Sequence, residues 1–214
     1  DSYIDVIAPD GKLVGSRNII TDEGIVEPLP RLQPVDIRAA SLAFEDRTAE
    51  TYDGFHPRHF ALLSDESLQC VGWLLALMET TGHIPVQIQI ILLVLLSKPT
   101  GDFRPIRLFP SLYRVWGKCR RPCAVQWEKL NERPFFAGGK GKSALQTVWR
   151  QSARAEAGHT QGHAAITVLW DLVKYYESIS LPRLLEEGIR TGFPIQILRV
   201  CINMYCGGRH IQMH

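Results

Sequence analysis

Residues 86–108 read VQIQIILLVLLSKPTGDFRPIRL. The apolar run 86–96 is 11 residues long and carries two glutamines, well short of the ~20 residues that a membrane helix needs. Over residues 83–98 the pattern alternates and saturates with apolar and β-branched side chains, which predicts a strand buried on both faces. The polar turn Pro99-Thr100-Gly101-Asp102 then predicts residues 103–108 as its antiparallel partner. Such a hairpin sets Lys98 and Arg104 near the ends of its two strands, leaning over one cleft, an arrangement suited to a polyphosphate. From charge alone, a solvated basic turn is the competing reading.

On either side of this stretch the periodicity becomes helical. Upstream, Ser64 opens a pattern of Leu68, Val71, Leu74, Leu75 and Met78 that Gly82 ends, and a further helix is predicted over 34–50. Downstream, residues 111–132 read as an amphipathic helix in which Pro122 marks a kink or restart. Ser143 is the natural N-cap of a helix over 143–157. Residues 164–170 predict a buried strand running into Asp171. Ser180 with Pro182 starts a helix closed by Gly192, and residues 194–205 form another, stopped by Gly207-Gly208. Strands separated by helices indicate an α+β or α/β architecture. No internal repeat of fixed period is visible.

The chain has 214 residues, of which 45% are apolar and 21% charged. This excludes disorder, collagen and a disulfide-built miniprotein. The formal net charge of +2 hides a strong polarity. Residues 98–154 carry 13 Lys/Arg against 3 Asp/Glu, residues 1–97 carry 6 against 14, and residues 155–214 carry 5 of each. Residues 1–53 form an acidic, turn-rich segment of unassigned role. Five cysteines are an odd number and too sparse for a disulfide framework, which predicts a reducing, intracellular compartment without separating nucleus from cytoplasm. No membrane partner is expected. The chain begins at Asp1 and stops at His214, and both ends read as cuts from a larger protein.

Three constellations carry possible chemistry. Cys119-x3-Cys123 and His159-x3-His163 have zinc-like pairs, but the 35 residues between them exceed the spacer of a compact finger, so packing of the cysteines is the favoured reading. Gly141-Lys142-Ser143 at a helix N-terminus suggests a phosphate loop. The full pattern requires glycine where Phe136 stands, and no hydrophobic strand precedes it. Asp171 ends an apolar strand, a place where a ligand crevice is commonly built and where an N-cap is equally common.

Together these pieces resemble the fingers and front palm of a reverse transcriptase, of the kind found in retrotransposons without long terminal repeats and in group II mobile introns. The family's (I/L)-P-K-P-x-G-x-x-R-P-I segment is matched by residues 96–106, with Leu108, Leu112, Tyr113 and Arg114 following. Its G-F-x-x-G-(R/K)-S segment is matched more loosely by residues 135–143. Its D-x-x-K-(A/F/Y)-(F/Y)-(D/E)-S-(I/V) signature is satisfied by residues 171–179. Asp53-Gly54-Phe55-His56 and Gly82-His83-Ile84-Pro85 are similar to segments that lead into the fingers. The resemblance covers roughly residues 53–214 and implies an α+β right-hand polymerase, with fingers and a partial palm over 54–214.

The resemblance implies that Asp171 is the first catalytic carboxylate and, with the backbone carbonyl of Leu172, a ligand of the Mg²⁺ pair used in nucleotidyl transfer. Lys98 and Arg104 would hold the incoming dNTP, and Tyr176 would stack under its sugar and disfavour a 2′-hydroxyl. Arg107, Arg114, Lys118, Arg120, Arg121, Lys140 and Lys142 would track the phosphates of an RNA template and a DNA primer. The family also requires a (Y/F)-x-D-D hairpin, and this chain contains no adjacent Asp-Asp. It is therefore expected to be inactive by itself. Two alternatives stand beside this reading: a non-catalytic nucleic-acid-binding relic of a retroelement, and a nucleotide hydrolase built around Lys142 and Ser143.

Overall fold

A serine and a glycine bound the central helix, α2 (Asp65–Thr81). Ser64 accepts a hydrogen bond from the amide of Ser67 at one end, and Gly82 turns the chain at φ 69° at the other, a left-handed conformation that suits glycine. The computed structural model describes residues 3–7, 13–18, 29–99, 101–133, 135–139, 141–168 and 178–213. In chain order, β1 (Tyr3–Ile7) and β2 (Leu13–Asn18) form an antiparallel hairpin. Then come α1 (Pro34–Leu42), α2, β3 (Ile91–Ser97) and β4 (Phe103–Leu108). The helices α3 (Ser111–Leu130), α4 (Ala144–Thr160), α5 (Leu181–Arg190) and α6 (Ile195–Tyr205) follow, and β5 (Arg209–Met213) closes the order. The architecture is mixed α+β, as the alternation of patterns predicts.

The core lies where α1, α2, α3 and α6 meet. Ile37, Leu68, Leu75, Val115, Trp116 and Met204 are all essentially inaccessible to solvent. At its centre sit two charges. Glu79 of α2 and Arg120 of α3 form a two-pronged ion pair, with both Nε–Oε1 and Nη2–Oε2 at 2.6 Å. The indole of Trp116 donates to the same carboxylate at 2.7 Å, and Arg120 also donates to the carbonyl of Pro30 at 2.8 Å. Burial removes both groups from water, and these bonds replace what water supplied.

A three-stranded sheet of order β4-β3-β5 stands beside this core. β3 pairs antiparallel with β4, Leu92 opposite Leu108 and Leu96 opposite Arg104, and parallel with β5. The parallel pairing depends on Gly207, where an added Cβ would lie 2.2 Å from the carbonyl oxygen of Gln89. That close approach brings the carbonyl of Gly208 to the amide of Ile91 at 2.8 Å and starts the ladder.

Several expectations are corrected. The strand predicted over 83–98 begins only at Ile91. Residues 83–90 instead form a stretch with one 3₁₀ turn, held by Asn203 of α6, whose side chain accepts from the Ile84 amide and the Gln89 side chain. β3 is buried only at its base, at Ile91 and Leu92, because the rest of the hairpin projects beyond the helices. α1 stops at Leu42 rather than near residue 50, since Phe44 leaves the helix to lie under Arg114 and Lys118. α3 runs unbroken through Pro122. Its second half is anchored by Trp127, which donates to the Thr191 carbonyl at 2.8 Å and packs edge-on against Phe193, and so tolerates the lost bond. Of the buried strand expected over 164–170, residues 164–168 are exposed and form no strand, with Ile166 85% accessible, and 169–170 lie outside the described residues. The hairpin β1–β2 and the strand β5 were not expected at all.

Removing one member of the buried pair strands the other charge. Glu79→Ala is expected to lower unfolding stability by about 3–5 kcal/mol and Arg121→Ala, on the exposed side of the same helix, by no more than ~0.5 kcal/mol. Urea denaturation followed by far-UV circular dichroism measures both.

Candidate nucleotide and nucleic-acid interface

The hairpin tip is closed by the amide of Lys98 donating to the Asp102 carbonyl at 2.7 Å and the amide of Gly101 donating to Lys98 at 3.0 Å, with Gly101 at φ 86°. Directly opposed residues of an antiparallel pair share a face. Arg104, opposite Leu96, therefore lies on the face to which Lys98, two positions beyond Leu96, also belongs. Both are exposed at the projecting end of the sheet. Arg107, opposite Leu93, falls on the other face.

β4 leads through Pro110 into α3, and a distant carboxylate fixes the start of that helix. Asp53 accepts from the Ser111 amide at 3.0 Å and from Thr51 and Phe55, while the hydroxyl of Ser111 donates to the carbonyl of Phe55. A negative charge at a helix N-terminus is favourable. The sequence marks Asp53 as part of the Asp53-Gly54-Phe55-His56 segment, but its role at the start of α3 is visible only in the fold.

Along α3 the predicted phosphate-tracking cations divide. Arg120 is a correction: at 5% exposure, with its guanidinium occupied by Glu79 and Pro30, it holds the core and reaches no phosphate. Arg114 donates to the Ala49 carbonyl at 2.7 Å, and Lys118 reaches that of Ala43 at 3.4 Å, with both cations over the ring of Phe44. Burial lowers the pKa of Arg114 and the nearby Asp53 opposes the shift. Arg121 is exposed.

The glycine-rich loop folds back on itself through Lys142, whose ammonium donates to the Phe136 carbonyl at 2.6 Å and pairs with Glu132 at 2.9 Å. A phosphate-loop lysine must offer its charge to the ligand, and this one is already partnered. Lys142, expected as a phosphate contact, braces the loop and also borders the cavity beside it, and Ser143, although at the N-cap position of α4, makes no side-chain cap bond. Next to the brace lies a cavity of about 580 Å³ bordered by Arg133, Arg150 and Arg154. Those three arginines were not singled out from the sequence; the signal was the i, i+4 spacing of Arg150 and Arg154 on α4.

Asp171, Leu172, Tyr176 and Lys140 lie outside the described residues. Among the described residues, no cluster of three or more His, Cys, Asp or Glu side chains could hold a metal ion, and no helix is long and apolar enough to cross a membrane. Cys119 and Cys123 pack against the core, and burial pushes the Cys119 thiol up to about 11. No family model and no curated protein matches the chain.

The thiolate is the reactive form, and a raised pKa depletes it. At about pH 8, close to the ordinary thiol pKa, iodoacetamide is expected to label the exposed Cys70 well before Cys119; peptide mass spectrometry reads the order.

Proposed function

We propose that the chain is the fingers and first palm portion of an RNA-directed DNA polymerase, acting on an RNA template, a DNA primer and dNTPs. The observation that carries this reading is the hairpin tip, where Lys98 and Arg104 share one exposed face of a sheet that projects beyond the helical core. Two cations fixed on one face by strand register suit a triphosphate, and the neutral helical core behind them offers a fixed support. Arg104 supplies a planar fork and Lys98 a compact charge, so the two hold non-bridging oxygens in different ways. On α3 the exposed Arg121 supports template and primer phosphates without reading sequence, while Arg114 and Lys118 are held against Phe44 and backbone carbonyls.

The motif match assigns the remaining roles. Asp171 and the carbonyl of Leu172 are the ligands for Mg²⁺, and Tyr176 is the stacking residue under the sugar. Mg²⁺, when bound, activates the primer 3′-hydroxyl and offsets the triphosphate charge. A single carboxylate leaves that site short of ligands, so the chain by itself binds nucleotide without adding it.

In the presence of template–primer and Mg²⁺, a photoreactive dATP analogue is expected to cross-link to peptides within residues 96–108. Lys98→Ala with Arg104→Ala should reduce the yield by roughly tenfold or more, the equivalent of one lost charge-assisted hydrogen bond at about 1.4 kcal/mol. Tyr176→Ala should remove the advantage of dTTP over UTP as competitor. Primer extension by the purified chain should stay at background. Cross-linking indifferent to Lys98 and Arg104 overturns the reading.

A further inference from the structure

We infer that the cavity between the glycine-rich loop and α4 is a binding groove for a single-stranded nucleic-acid segment. The inference rests on the nucleic-acid-binding part of the polymerase reading, and it places one strand on residues to which that reading gave no role.

The groove wall on α4 is one helix face. Ser143, Gln146, Thr147, Arg150, Gln151 and Arg154 all border the cavity, at spacings of three and four that bring successive turns into line. At 1.5 Å per residue the row is about 16 Å long, extended rather than point-like. Arg133 also borders the cavity, on the loop by which the chain leaves α3. Among the described residues, the guanidiniums of Arg133, Arg150 and Arg154 make no hydrogen bond or ion pair. The carboxylate at the cavity, Glu132, is neutralised by Lys142 at 2.9 Å. Three uncompensated cations therefore face one open space, a field that concentrates a polyanion.

Aromatic rings identify the polyanion. Phe135 and Phe136 also border the cavity, 72% and 50% exposed, with ring centroids 4.8 Å apart in an edge-on pair. Leaving two phenyl rings in water is unfavourable, and neither is placed in the core. Flat apolar faces beside a cationic row match the combination used for unpaired bases, which stack while their phosphates meet the arginines. A duplex hides its base faces, so the groove selects single strands. The polar Gln146, Thr147 and Gln151 can bond to sugars or base edges between the two. The volume, about 580 Å³, falls within the range of built ligand sites.

Fluorescence anisotropy of labelled oligouridine and oligothymidine with the full chain, from roughly 50 to 200 mM salt, tests this. Three phosphate contacts to a single strand predict a log–log salt slope of about −2. Arg150→Ala with Arg154→Ala should weaken binding at least tenfold and flatten the slope by roughly 1.4. Phe135→Ala with Phe136→Ala should weaken binding while leaving the slope unchanged. All four side chains are exposed, and a preserved circular dichroism spectrum verifies folding. Lys98→Ala with Arg104→Ala should leave oligonucleotide binding within about twofold, so that failure at the groove and failure at the nucleotide clamp are read separately. Tighter binding of oligouridine identifies an RNA strand, and of oligothymidine a DNA strand; either supports the groove. A wild-type slope in the double arginine variant, or ATP binding there as tightly as the oligonucleotides, overturns it.

Discussion

The pair formed by Glu79 and Arg120 is the constraint on which the helical core depends. A carboxylate and a guanidinium, each more than nine-tenths buried, meet through two 2.6 Å bonds. Such a pair tolerates little displacement, because any gap leaves charge without solvent or partner. Its geometry sets the rotation of α3 against α2. The indole of Trp116 adds a third donor from the preceding turn on the same face of α3, and the carbonyl of Pro30 ties in the segment that precedes α1. With α3 fixed at this point and capped by Asp53 at its first residue, the chain entering it from β4 has a defined origin, and the hairpin is held as a projection from a rigid base.

The basic window between residues 98 and 154 is therefore not one surface. Among the described residues, cations of this window are seen in three settings: inside the core at Arg120, against backbone carbonyls, an aromatic ring or a carboxylate at Arg114, Lys118 and Lys142, and exposed at Lys98, Arg104, Arg121, Arg133, Arg150 and Arg154. The proposed division of labour follows from this sorting. A compact clamp at the hairpin tip suits a triphosphate, and an elongated groove beside α4 suits a strand. Charge along the sequence marks the basic window; placement sorts its cations into buried, braced and exposed.

Legibility in the sequence followed the range of the forces involved. α2, α5 and α6 were readable because their signals are local: Ser64 and Ser180 at N-caps, Gly82 beyond a last turn, and apolar spacing along one face. The β3–β4 hairpin was readable from a turn between two apolar runs. β5 was not, since Arg209-His210-Ile211-Gln212-Met213 has no strand signature and becomes a strand only by parallel pairing with residues over a hundred positions earlier. Residues 83–90 look like strand from composition, but Asn203 takes the Ile84 amide, Pro85 has no amide to donate, and its carbonyl accepts from Ile88 in a 3₁₀ turn. Arg120 looked like its neighbour Arg121 because one residue, about 100° around a helix, separates burial from exposure. Of the candidate site, the placement of Lys98 and Arg104 at a hairpin tip was legible from the turn between two strands, whereas the proposed groove needed α4 and the loop to be set side by side.

The central claim is that a fixed helical base presents two separate anion-binding surfaces, a nucleotide clamp and a strand groove. Hydrogen–deuterium exchange of the full chain, alone and with single-stranded oligonucleotide or with template–primer, Mg²⁺ and dNTP, tests it most directly. The account predicts protection over residues 133–154 with oligonucleotide alone and additional protection over residues 96–106 only when dNTP is present, with α2 unchanged in both. Equal protection everywhere, or none at either surface, would contradict it.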